Sequence, residues 1–254
     1  MLADAARLTI KLSRLLTFSA GRRGLRYGVG ATVEHWRALA GLDAATVVDI
    51  GANKGQFALL ATELYPSATI YCFEPLAEPA ARLRKMLGVK ITLFETAIGP
   101  CEGQGIIYVS RRPDSSSLLP IGRQAELSPG TELHEERVVP VAPLTNYFSR
   151  EDIKYPAMLK IDVQGYELEV LRGCEPLLFY FQYVYVECSF VELYRGQALV
   201  SRVISYLIQR NFELSGVYNQ VERSNGRPVQ ADFLFSKSDG CPRLRELASP
   251  PSIG

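Results

Sequence analysis

From Thr46 onward the chain alternates short apolar runs with segments of helical periodicity, the pattern of a parallel sheet covered by helices. "TVVDI" (46–50) reads as a first strand and "GQFALLATELY" (55–65) as its helix; "TIYCFE" (69–74) and "AEPAARLRKML" (77–87) repeat the unit. "ITLFETAI" (91–98) gives a third strand and "YPAMLKID" (155–162) a fourth, with the short helix "YELEVLRG" behind it stopped by Gly173. The very apolar "YFQYVYVECSF" (180–190) is a fifth strand, followed by the helix "ALVSRVISYLIQR". "FELSGVY" and "ADFLFSK" then form a closing pair.

Two stretches stand outside this rhythm. Residues 103–146 form a long insertion in which "GIIYVS" and "ERVVPV" can pair as a hairpin around the turn-rich "RRPDSSSLLP". A connection of that length in a compact domain is usually functional or mobile, and it is expected to cover the substrate. In residues 1–40, Leu8, Leu12, Leu15 and Leu16 stand at helical spacing opposite Arg7, Lys11 and Arg14, with Arg22, Arg23 and Arg26 following. This basic amphipathic helical segment reads first as a lid or prop packed on the main domain. Peripheral membrane contact through the helix, or a site for an anionic substrate, is the second reading. Residues 41–240 are then the main domain and 241–254 a frayed tail.

Composition narrows the function classes. With 254 residues, 47% of them hydrophobic, one domain with a substantial core is expected. A net charge of +1 supplies no general attraction to nucleic acid, so no nucleic-acid partner is expected. Five scattered cysteines without a CxxC pair read as reduced thiols, and no His/Cys set has metal-ligand spacing, so no metal is expected. No apolar run is long enough to suggest a membrane span, and the N-terminus lacks a long uncharged run; the expected location is cytoplasmic.

Ligands of an open parallel sheet bind at the carboxyl ends of its strands. The first strand ends in "VVDIGANKGQF", placing Asp49, Gly51, Asn53 and Gly55 at a turn that opens a helix. Glycine there lets the backbone turn tightly and approach a ligand. Glu74 ends the second strand 23 positions after Gly51, close to the spacing at which an acid accepts both hydroxyls of a bound ribose. A dinucleotide would call for more phosphate-binding glycines than these two, and Asp49 disfavours nearby phosphate. S-adenosylmethionine has a ribose and no phosphate, so methyl transfer leads. An NAD(P)-dependent oxidoreductase and a noncatalytic cofactor-binding domain are the alternatives.

The ordered set "VVDIGANKGQFALL", "CFEPLAE", "TAIGPCEG", "LKIDVQGYELEVLRG" and "YVYVECSFVELYRG" resembles the FkbM family of S-adenosylmethionine-dependent methyltransferases over roughly residues 45–236. The resemblance implies an α/β class I methyltransferase fold, Rossmann-like, with seven mostly parallel strands, the last antiparallel, and helices on both faces. It implies O-methylation of a hydroxyl on a sugar, glycan or natural product. Asp49, Gly51, Ala52, Asn53 and Gly55 match the first cofactor motif and Glu74 the ribose-binding acid, with Pro75 and Leu76 shaping the turn beside the adenosine. Thr96 and Ala97 fall where relatives pass close to adenine. Many relatives carry glutamate where this chain has Gln164, and an acidic residue near Asn146; both departures argue against a carboxylate metal site.

The reaction expected is in-line displacement, in which alignment does most of the work because the methyl donor is already activated. Asp162, at the end of the fourth strand, is the first candidate for the base that takes the hydroxyl proton, and it also borders the cofactor; Glu187 is the second. Ser116, Ser117, Gln164, Tyr166, Glu187 and Tyr194 are the candidate substrate contacts, the two tyrosines as stacking surfaces. His35 and His134 read as solvated or locally paired.

Overall fold

Residues 12–223 and 225–237 are described in a computed structural model of the chain. Arg7, Leu8 and Lys11 of the N-terminal amphipathic stretch, and the tail 241–254, lie outside the described residues. In chain order the elements are α1 (12–17), α2 (Ser19–Arg26), α3 (Trp36–Leu39), β1 (Thr46–Ile50), α4 (Gln56–Leu64), β2 (Thr69–Phe73), α5 (Ala77–Leu87), β3 (Thr92–Phe94) and β4 (Ala97–Ile98). There follow β5 (Gly103–Ser110), α6 (Gln124–Leu127), β6 (Leu133–Ala142), β7 (Ala157–Ile161), α7 (Glu167–Gly173), α8 (Glu175–Leu178), β8 (Tyr183–Ser189), α9 (Val200–Ile208), β9 (Phe212–Glu222) and β10 (Pro228–Lys237).

The main sheet has seven strands in the order β3-β2-β1-β7-β8-β10-β9. β10 runs antiparallel between β8 and β9, and the pairs from β3 to β8 are parallel. This is the class I methyltransferase architecture. The strands β1 and β7 are buried along their whole length, which explains their unbroken apolar character: both faces carry helices. On one face α4 and α5 pack with the N-terminal segment, whose Leu15, Phe18, Val29 and Leu39 share a core with Phe57, Leu59 and Leu83. On the other, α7, α8 and α9 close over Leu159, Val184 and Val186.

The N-terminal segment is tied down by polar contacts as well. α2 has no cap of its own; Glu63 of α4 accepts from Ser19 Oγ at 3.0 Å and from the Ala20 amide at 3.1 Å.

The third predicted strand does not run through. β3 ends at Phe94, whose carbonyl accepts from the Glu74 amide, and the chain then leaves the main sheet. The Thr96 hydroxyl bonds the carbonyls of Ala97 and Pro140, and β4 pairs with β6 instead. With the predicted hairpin, formed by β5 and β6, β4 makes a separate three-stranded sheet in the order β4-β6-β5.

Register brings the chemistry to one level. Ile50 lies beside Phe73 and Ile161, and Ile161 beside Val186. The next residues, Gly51, Glu74, Asp162 and Glu187, therefore form one row across the carboxyl edge of four neighbouring strands. Glu187 in turn stands opposite Asp232 of β10.

Candidate active site

A cavity of about 1300 Å³ opens along that edge. Fourteen of the residues singled out from sequence line it: Gly51, Ala52, Asn53, Glu74, Pro75, Leu76, Thr96, Ala97, Ser116, Ser117, Asp162, Gln164, Tyr166 and Glu187. Asp49, Gly55 and Tyr194 do not, and each has a different place.

The turn after β1 is held from two sides. Gly51 has φ +80°, and a Cβ there would lie 1.8 Å from the carbonyl oxygen of Asp162, so the two strand ends can meet only at a glycine. Glu74 reaches across from β2: its Oε2 accepts from the Asn53 amide at 2.8 Å and its Oε1 from the Leu76 amide at 2.8 Å. Burial pushes its carboxyl up to about 7, against the pull of these two donors. An ionised carboxylate accepts about four hydrogen bonds, so roughly one site on each oxygen remains for a ligand diol. Gly55 faces away from the cavity. Its φ of +86° ends the turn before α4, and a Cβ would meet Leu83 Cδ1 at 2.3 Å, so its smallness serves the packing of α4 on α5.

Asp49 is fully buried beneath the turn rather than in the cavity wall. Lys160 of β7 joins it to the site, with Nζ 2.9 Å from Asp49 Oδ1, 3.8 Å from Asp162 Oδ2 and 3.4 Å from the Gly51 carbonyl. Burial alone would lower the Lys160 ammonium; Asp49, Asp162 and Glu187 outweigh it and hold the lysine protonated. Sequence reasoning passed over Lys160, although a lysine within the apolar "AMLKI" was a usable signal.

At the other end Gln164 joins the two acids proposed from sequence. Its Nε2 donates to Asp162 Oδ1 and to Glu187 Oε2, both at 2.8 Å, and its Oε1 accepts from the Tyr194 hydroxyl at 3.0 Å. Glu187 Oε1 also accepts from Gln230 Nε2 at 2.8 Å. Burial and the neighbouring Asp162, Asp232 and Glu167 push the Glu187 carboxyl well up, with Gln164 pulling it back. Tyr194 is 1% exposed and offers no face for stacking. Its residue follows the end of β8 in sequence, but the chain folds it under the insertion, where the hydroxyl also reaches the Ser115 carbonyl at 3.0 Å. Tyr166 remains half-buried at the cavity wall. Ser116 Oγ accepts from the Ser110 amide and Ser117 Oγ from the Leu119 amide, so both shape the cover loop.

The N-terminal segment reaches the same cavity. His35 lines it, with Nδ1 2.9 Å from the Tyr185 hydroxyl and 3.1 Å from Asp232 Oδ2, a locally paired histidine; His134 is exposed on β6. Among the described residues no cluster of His, Cys, Asp or Glu is arranged to hold a metal, and no helix is long and apolar enough to cross a membrane.

Two cavity acceptors suit a cationic ligand. Asn53 Oδ1 and Gln56 Oε1 are buried, line the cavity and have no hydrogen-bond donor among the described residues. With a carboxylate poised for a diol, they fit an adenosine that carries an ammonium-bearing tail, and the carboxylates at the strand ends oppose a phosphate.

Fold and site together define a class I, S-adenosylmethionine-dependent methyltransferase. The Methyltransferase FkbM domain matches residues 49–214, and the chain belongs to that family. It is 29% identical over 199 residues to the 2-O-methyltransferase NoeI of Sinorhizobium fredii, covering 74% of this chain and 78% of that protein. Methyltransferase sdnD of Sordaria araneosa is 29% identical over 51% of this chain and 60% of its own length. Among solved structures, Aeropyrum pernix fibrillarin with S-adenosyl-L-methionine is similar at a TM-score of 0.44 and 14% identity, over 80% of this chain and 72% of that one. Magnesium protoporphyrin IX methyltransferase from Synechocystis PCC 6803 gives 0.44 and 13%, over 82% and 77%.

Proposed function

We propose that this methyltransferase acts on a hydroxyl group of a sugar, glycan or natural product, with Glu74, Asn53 and the Gly51 turn at the cofactor end of the cavity and Asp162 and Glu187 at the acceptor end. The observation that carries the reading is the row of strand-end residues. Its carboxylates flank the cavity at the cofactor's diol site and, two strands away, where a hydroxyl would need a base.

Bound S-adenosylmethionine supplies a methyl group already activated on a sulfonium. The chain's tasks are to hold the acceptor hydroxyl in line and to take its proton. Asp162, with a side chain 38% exposed, is open to an acceptor and is the first base. Glu187 is held toward its neutral form by burial and fits an orienting hydrogen-bond role better. Tyr166 supplies an aromatic wall, and the half-buried Ser116 keeps its hydroxyl proton for an acceptor, while Ser117, 1% exposed, acts through the shape of the cover loop. The relative NoeI is named a 2-O-methyltransferase, which supports oxygen as the methylated atom. By the same reading residues 12–40 are a prop and part of the cavity wall, and the insertion is the acceptor cover.

Radiolabelled methyl transfer into a panel of oligosaccharides, phenolic natural products, amines and transfer RNA tests this. Label in a hydroxylated acceptor, lost in Asp162→Asn while S-adenosylmethionine still binds, is the expected result. Label confined to amines or RNA, or full turnover by Asp162→Asn, overturns it.

A further inference from the structure

Gln164 occupies a place that a simple substrate contact would not need. Its backbone has φ +57°, a left-handed conformation uncommon outside glycine. That turn sends the side chain back over the strand ends, where every polar position of its amide is used: one N–H to Asp162, one to Glu187, and the oxygen to Tyr194. The chemistry fixes which way the amide points. Reversed, its oxygen would face two carboxylates and the pair of N–H bonds that now join them would be lost.

We infer that Gln164, oriented by the Tyr194 hydroxyl, is a positioning residue that clamps Asp162 and Glu187 side by side, each carboxyl accepting one of its N–H groups and drawn by that bond toward its ionised form. The inference rests on assigning those acids to the acceptor end of the site. Without the amide, Glu187 faces Asp162 from β7, Asp232 from β10 and Glu167 from α7, with Lys160 the cation among them and Gln230 its remaining donor. Like charges so placed cannot all remain ionised, and the one with least solvent would take a proton. Tyr194 has a single hydroxyl proton facing two acceptors, Gln164 Oε1 and the Ser115 carbonyl, each at 3.0 Å. The amide's orientation is thereby linked to the seating of the cover loop that carries Ser115.

The test is a titration of Glu187 in the cofactor-free full-length protein, by carbon-13 NMR of labelled glutamate carboxyls, with the Glu187 signal assigned by its loss in Glu187→Gln. In Gln164→Leu the Glu187 midpoint should rise by about one unit or more, a tenfold gain in proton affinity, the scale of one lost hydrogen bond to a charge. Tyr194→Phe removes only a hydroxyl, keeps the ring in place, and should move the midpoint in the same direction by a smaller amount. Thermal unfolding confirms that each variant is folded; if Gln164→Leu is not, Tyr194→Phe decides alone. An unchanged or lowered midpoint in the folded variants overturns the clamp. The titration uses no acceptor, so a protein inert toward hydroxyl compounds would refute the proposed reaction without touching this result, and an unmoved midpoint would leave the reaction standing.

Discussion

Replacing Glu74 with alanine separates the bonds that this carboxylate makes to two turns from the ribose binding proposed for it. The substitution orphans the amides of Asn53 and Leu76, each bonded at 2.8 Å, at about 1–3 kcal/mol apiece. It also removes a carboxyl raised from 4.5 to about 7 by burial, whose ionisation at pH 8 costs the fold about 3 kcal/mol. These terms nearly cancel, and the net change in stability at pH 8 should be about 1 kcal/mol. Cofactor binding has no such compensation: two charge-assisted hydrogen bonds to a ribose diol are lost, at about 1.5–3 kcal/mol each. Calorimetric titration with S-adenosylmethionine should show the dissociation constant rising by roughly a hundredfold or more. The proton linkage gives a second reading on the unsubstituted protein. Diol hydroxyls donate to the ionised carboxylate, so affinity should fall as pH drops below about 7, and binding near that pH should release a proton. An affinity within about threefold of the parent, with no proton release, would mean that Glu74 only staples its two turns.

Gly51→Ala places a methyl 1.8 Å from the Asp162 carbonyl oxygen and should lower stability by about 3 kcal/mol or more in chemical denaturation, with cofactor binding lost in whatever remains folded. Lys160→Met leaves Asp49 buried without its cation and should cost about 3–5 kcal/mol, much of it recovered by adding Asp49→Asn; additive losses in the double mutant would contradict the pairing. Glu167 is buried and raised from 4.5 to about 7, so the folded protein holds a proton that the unfolded chain releases above about 4.5. Its contribution to stability is present in full below about 4.5 and is lost as pH rises through about 7, and Glu167→Gln should flatten the fall in stability between about pH 4.5 and 7.

The succession of strands and helices along the chain, the glycine turn and the acid at the end of β2 were legible because each leaves a local mark: an apolar run, a small residue, a charge at a run's end. What sequence could not carry was direction. Tyr194 was expected to present a ring to substrate, yet the chain buries it below the insertion and uses only its hydroxyl. Asp49 and Gly55 sit in the cofactor motif but face inward, one toward Lys160 and the other toward Leu83. The break between β3 and β4 was hidden because "FETAI" keeps strand-like residues on both sides of it; the ladder changes partner through Thr96 and Pro140, which lie 44 positions apart. Register hid Asp232, since only the pairing of β8 with β10 sets it opposite Glu187.

The small sheet has a bearing on how such proteins diversify. Ala97 and Ile98 pair with Val141 and Ala142, so the chain leaves for the insertion and returns from it at neighbouring points. Closing a loop between fixed neighbours costs only about 0.6 kcal/mol more for each doubling of its length. The segment from Gly103 to Pro140 can therefore change in length without re-registering the seven strands, while Ile107, Val109 and Val139 within it pack on Leu76, so that the variation this design tolerates lies at the tip of the hairpin and not at its base.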